Sequence, residues 1–142
     1  MKITDTRLAK ATVLFCIGAL IYAAIEILWR GYTHWTMAVL GGLLFLLLGS
    51  INNWLEWQTP LWKQVLIGTA AVTVAEFVVG LILNIWLGLG IWDYSQMPFN
   101  LLGQICPQFT LAWAPLSLVG IVLDDYIRYW LWDERKPEYS LF

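Results

Sequence analysis

Charge is scarce in this sequence: 13% of its 142 residues are Asp, Glu, Lys or Arg, against about a quarter in a soluble domain. With 60% apolar residues and a mean hydropathy of +0.68, a soluble fold of this length would lack the polar surface to cover itself. The net charge is -2, and no basic run or basic helix face exists, so no nucleic-acid partner is expected. Two cysteines make no disulfide framework. Cys16 lies in the first third of the first hydrophobic segment and Cys106 opens the last. The topology below sends them toward opposite faces, so both are expected to be buried small residues, not a bridge. His34 is the one histidine, with no His or Cys at ligand spacing, so no metal is expected. There is no phosphate-cradling G-x-x-x-x-G-K-[ST] and no Ser–His pairing, so neither a nucleotide site, a cofactor nor an enzyme is expected.

What the chain does have is long apolar runs. Four stretches can cross a hydrocarbon core, which takes about 20 residues: residues 11–29, 36–54, 64–89 and 101–127. The expected fold is therefore all-α, an integral membrane four-helix bundle forming one domain over residues 1–142, its fourth helix interrupted by Pro107 and Pro115. Lys2, Arg7 and Lys10 before the first run resemble a signal peptide, but the run is longer than an h-region, so it reads as an uncleaved first span. With the N-terminus in the cytoplasm, seven of the eight basic residues fall inside and only Arg30 outside. Tryptophan agrees. Trp29, Trp35, Trp86 and Trp92 mark the outer boundary; Trp54, Trp57, Trp62, Trp130 and Trp132 mark the inner one. Only Trp113 falls mid-span. Both termini are expected in the cytoplasm.

Polar groups at depth carry the functional information, because each must face protein or water. In the third span Thr69, Thr73, Glu76, Gly80, Asn84 and Gly88 recur at threes and fours and so share a helix face. Two readings stay open: cross-helix bonding between closely packed helices, or a solute or ion pathway lined by Thr73, Glu76 and Asn84. An outer vestibule is expected from Glu26, Arg30, His34, Asp93, Asn100 and Gln104. Glu26, Arg30 and His34 would stack on one face if the first helix persisted past Gly31. The connection from Leu89 to Asn100 has the composition of a lid or interfacial loop. An inner gate is expected from Asn53, Asp124, Asp125 and Arg128, with Asp124 and Arg128 spaced for an ion pair.

The strings EILWRGYTHW (26–35), GGLLFLLLGSINN (41–53), WDYSQMPFNLLGQIC (92–106) and LDDYIRYW (123–130) resemble the putative ABC-transporter type IV, or CmpB-like, family. The resemblance covers nearly the whole chain. It implies a small multi-pass protein of the bacterial cytoplasmic (inner) membrane, often labelled a permease, and it implies no particular substrate. Without a nucleotide motif, such a permease would work with a separate ATPase or without ATP.

Four helices enclose little volume, so a homo-oligomer, most simply a dimer, is expected in the bilayer. The leading expectation is a permease or channel component for a small solute or ion. The alternatives are a non-transporting regulatory partner of another membrane protein and, last, an enzyme acting on a lipid or quinone.

Overall fold

Residues 6–51, 55–56 and 59–139 are described by the structure, a computed structural model. It is all-helical, with four helices and no strand among the described residues. Helix α1 spans Arg7–Arg30, α2 Trp35–Gly49, α3 Leu61–Gly80 and α4 Pro107–Trp132. At its end α3 passes directly into a π-helical stretch, Leu81–Trp86. Three helical runs are long and apolar enough to cross a membrane: Arg7–Arg30, Leu61–Trp86 and Pro107–Trp132.

Local chemistry sets the ends. Thr6 caps α1, its Oγ1 accepting from the Ala9 N–H at 3.1 Å, which satisfies one of the orphan donors of the first turn. Gly31 closes α1 at φ 82°, a left-handed C-cap that only glycine adopts without strain. His34 caps α2 through Nδ1, which accepts from the Thr36 N–H at 3.3 Å. Pro107 is the first residue of α4, where its missing N–H costs nothing. It therefore starts the helix and does not break it. Pro115 lies inside; there the helical path continues while the Leu111 carbonyl loses its bond partner. Residues Leu101–Ile105 form turns and an isolated bridge between Leu101 and Ile105, not the start of the fourth helix.

The chain divides into two compact units, one of residues up to 58 together with Gly120–Tyr139, the other of Thr59–Val119. In the first unit α1 and α2 make the extensive backbone approach. Gly18 faces Phe45 and Gly41 faces Tyr22, each glycine leaving room that a Cβ would fill. Leu14, Phe45 and Ile127 form the buried apolar cluster, with Ile17, Leu46, Leu123 and Trp132 against it. Cys16, contrary to expectation, is exposed on α1, while Cys106 is buried; both are free thiols.

The second unit consists of α3, its π extension, the connection 87–106 and α4 as far as Val119. The buried row of α3 is Leu61, Gln64, Gly68, Val72, Glu76 and Gly80. Steps of four drift slowly around a helix, so this row winds into the polar face only at Glu76 and Gly80. Thr69 and Thr73 lie beside it, half-buried. Gly88 falls beyond the helix, exposed, at φ 68°. Trp92 is buried.

Candidate functional site

Glu76 sits in the middle of the most apolar long stretch of the second unit and is only 5% exposed. Trp113, from α4, donates its indole Nε1–H to Oε2 of Glu76 at 2.8 Å. The sequence marks both partners separately, one as a mid-span acid and the other as the lone mid-span tryptophan.

Toward the Trp86 end of α3 the polar face closes on itself. Asn84 Oδ1 accepts the backbone N–H groups of Ile91 (2.7 Å) and Trp92 (3.4 Å), while its Nδ2 donates to Gln104 Oε1 at 2.8 Å. Gln104 Nε2 donates to the Leu102 carbonyl at 3.0 Å, and the Gln104 carbonyl accepts the Trp92 indole N–H at 3.0 Å. Gly80 packs against Gln104 and Trp92, a position where any Cβ would collide with both. The π stretch belongs to this arrangement: Leu87 N–H reaches the Ile82 carbonyl at 2.9 Å, widening the turn that carries Asn84.

Beyond the latch, the connection holds its own shape. Asn100 Nδ2 donates to the carbonyls of Met97 (2.8 Å) and Ser95 (3.2 Å), and its Oδ1 accepts the Gly103 N–H at 2.9 Å. Asp93 Oδ1 accepts the Ser95 N–H at 2.8 Å. Hydrogen bonds from the Ser95 backbone, then from its side chain, hold the Asp93 carboxyl below its ordinary range. The Tyr94 ring stacks on Phe109, centroids 4.6 Å apart and planes within 5°. Phe99 and Leu102 take left-handed backbones at φ 58° and 53°, and Phe99 is 91% exposed. Asp93, Asn100 and Gln104 thus build a loop; their polar atoms bond largely within it.

Toward the Lys63 end the same unit is only partly satisfied, and Gln64 Nε2 donates to the Thr59 carbonyl at 3.0 Å. Thr73 Oγ1 bonds back to the Thr69 carbonyl at 2.8 Å. By contrast Thr69 Oγ1, Gln64 Oε1 and Ser117 Oγ are buried without a hydrogen-bond partner. Gln64 and Ser117 are fully buried, and sequence spacing singled out neither as a site residue.

In the first unit, Glu26 Oε2 and Arg30 Nε form an i,i+4 ion pair at 2.6 Å, with the guanidinium 4.8 Å from the Tyr32 ring centroid. His34 does not join that face. The helix stops at Gly31, and His34 instead bonds Thr36 Oγ1 at 2.7 Å as the α2 cap. The expected Asp124–Arg128 pair forms at 3.0 Å. It extends through Arg128 Nη1 to Glu134 at 3.8 Å and from Glu134 to Lys10 Nζ at 2.9 Å. Lys10 also lies 5.5 Å from the Trp132 ring centroid. Asp124 is fully buried against Gly49. Asp125 accepts the Tyr139 hydroxyl at 2.6 Å. Desolvation first, then that bond, push the Tyr139 hydroxyl above its ordinary range. Asn53 lies outside the described residues. Among the described residues no three His, Cys, Asp or Glu side chains gather as metal ligands would. Lys10, Glu134 and Tyr139 carry no periodic signal and meet their partners only through the fold.

The family model described as putative ABC-transporter type IV matches residues 3–136. The chain belongs to this family. No curated protein and no solved structure matches it. Family membership and the three long apolar helices make this a membrane protein with a transport-related role. In this type IV family member, the buried Glu76–Trp113 pair is the polar centre of the second unit.

Proposed function

We propose that this protein is a permease or channel component for a small solute or ion, with Glu76 as the acid on its path and Thr73 and Asn84 beside it. The observation that carries the reading is an acid buried in a long apolar helix and bonded by the Trp113 indole. Intramembrane acids are costly and are characteristic of substrate, ion and proton pathways. The Asn84–Gln104 latch is suited to closing the path at one end. In this reading Glu26, Arg30 and His34 with the connection 87–106 belong to an outer vestibule. Asn53, Asp124, Asp125 and Arg128 belong to an inner gate.

The seven-to-one distribution of basic residues supports an inner-membrane protein with both termini in the cytoplasm. The working form is a homo-oligomer, most simply a dimer, served by a separate ATPase if transport is ATP-driven. It is not an enzyme. The test is flux from proteoliposomes loaded with a pH-sensitive or a potassium-sensitive dye. Glu76→Gln should abolish the flux of whichever ion the wild type carries while leaving folding and assembly intact. A wild type that passes neither ion, and co-purifies with a stoichiometric membrane partner, would replace the permease by the regulatory-subunit reading. The internal bonding of Asn84 favours that second reading.

A further inference from the structure

The polar face of the second unit is satisfied at one end and hungry at the other. From Glu76 toward Trp86, the side-chain polar atoms of Asn84, both of Gln104 and the Trp92 indole all have partners inside the chain. From Glu76 toward Lys63, three buried oxygens have none: Ser117 Oγ, Thr69 Oγ1 and Gln64 Oε1. The usual escape for a helical hydroxyl is a bond to the carbonyl one turn back. Thr73 and Thr12 take it, each at 2.8 Å. Thr69 and Ser117 do not, although the same carbonyls are within their own helices.

Helix geometry puts Thr69 on the face of Glu76 and Ser117 on the face of Trp113, with Gln64 farther round α3. Thr69 precedes Glu76 by seven residues, about 10.5 Å along the same face of α3. Ser117 follows Trp113 by four, about 6 Å along the same face of α4. The chain reverses between the two helices, since Glu76 meets Trp113 while Asn84, in the π stretch after α3, meets Gln104, before α4 begins. Moving forward along α4 is therefore moving back along α3. Ser117 and Thr69 both lie on the Lys63 side of the Glu76–Trp113 bond, and Gln64 lies farther the same way.

We infer that Ser117 Oγ and Thr69 Oγ1 line a column of water that carries protons between the Lys63 end of α3 and the Glu76 carboxyl group. The inference rests on the permease reading for its purpose and names its cargo. Buried polar atoms without protein partners are where internal water resides. Hydroxyls both donate and accept, so Ser117 and Thr69 can pass a proton from water to water without themselves ionising. The other ionisable side chains of this unit are Lys63, Asp93, Tyr94 and Cys106. Lys63 stands at the open end, exposed, with its ammonium over the Trp62 ring. Asp93 and Tyr94 lie in the loop beyond the Asn84 latch and Cys106 at its end, and among the described residues no three His, Cys, Asp or Glu side chains gather as metal ligands would.

Two indole N–H groups read the asymmetry directly. Trp113 and Trp92 are equally buried, at 8% exposure, yet one abuts the unsatisfied column and the other the closed latch. In nitrogen-15 tryptophan-labelled protein in nanodiscs, assigned with Trp113→Phe and Trp92→Phe, the Trp113 indole should exchange into heavy water at least about tenfold faster than that of Trp92. Thr69→Val combined with Ser117→Ala should remove that difference while Trp92 stays unchanged. Trp113 exchange as slow as Trp92, or unaltered in the double variant, overturns the column. Pyranine-loaded proteoliposomes separate this from the permease reading. Fast Trp113 exchange without proton flux overturns the permease and leaves the column standing. Glu76-dependent potassium flux with slow exchange overturns the column and leaves the permease.

Discussion

Trp113 places its indole nitrogen 2.8 Å from a carboxylate oxygen of Glu76, on a helix 37 residues earlier in the chain, and both side chains are buried. Removing the donor and removing the charge should have different consequences. Trp113→Phe keeps most of the ring volume and leaves the carboxylate without that donor, a loss of about 1–3 kcal/mol. Glu76→Gln still offers a carbonyl oxygen to the indole, so its cost should be under about 1 kcal/mol. Thermal unfolding in a fixed detergent, followed by tryptophan fluorescence, should rank wild type above Glu76→Gln and both above Trp113→Phe. An equal loss in the two variants would assign the bond no special weight.

Asn84 is the latch between α3 and the connection that follows. Asn84→Ala deletes two close bonds, at 2.7 and 2.8 Å, and the longer one at 3.4 Å. Each net bond contributes about 0.5–1.5 kcal/mol, so the loop should lose about 1–3 kcal/mol of local stability. Hydrogen exchange should accelerate across residues 91–104 while α1 and α2 keep their protection. Asn84→Asp retains the acceptor for Ile91 but loses the donor to Gln104, and should fall between the two.

These two sites also show how far the residues can be read without coordinates. The helical class and the polar face around Glu76 follow from composition and period, which are local properties of the chain. The π stretch does not, because it arises from the fit of Asn84 to a loop up to 20 residues away, and no period records that. Spacing alone made Thr69 and Thr73 equals of Glu76, whereas packing turned the buried row toward Gln64 and Val72. Counting in fours aligns His34 with Glu26 and Arg30, but Gly31 ends the helix and the count with it. Glu134 and Tyr139 follow the last helix in a segment without regular structure, and their partners are set by tertiary contact alone.

Asp93 makes the loop respond to acid. Its carboxyl is held below the ordinary aspartate range by the Ser95 hydrogen bonds. A lowered folded pKa means the stabilising contribution is complete above the ordinary value and fades as pH drops through the lowered one. Loop protection at residues 93–95 should therefore be flat from pH 7 to about 5 and decline only below about 4. Asp93→Asn, which cannot ionise, should abolish the decline. A transition centred near pH 6 would mean another group governs the loop.

Gly49 and Asp124 test whether the buried acid of the first unit is fixed by shape or by charge. The Asp124 carboxylate lies where a Cβ on Gly49 would stand, while Arg128 holds its other oxygen at 3.0 Å. Gly49→Ala therefore has to displace a fully buried carboxylate, and overpacking of this kind costs about 1–3 kcal/mol. Asp124→Ala vacates the space but strands Arg128 beside Glu134 alone. If shape is the constraint, the double variant Gly49→Ala with Asp124→Ala should be more stable than the sum of its parts by more than about 0.5 kcal/mol. Simple additivity would mean that the carboxylate can move aside, and that its link to Arg128, not the room Gly49 provides, determines its position.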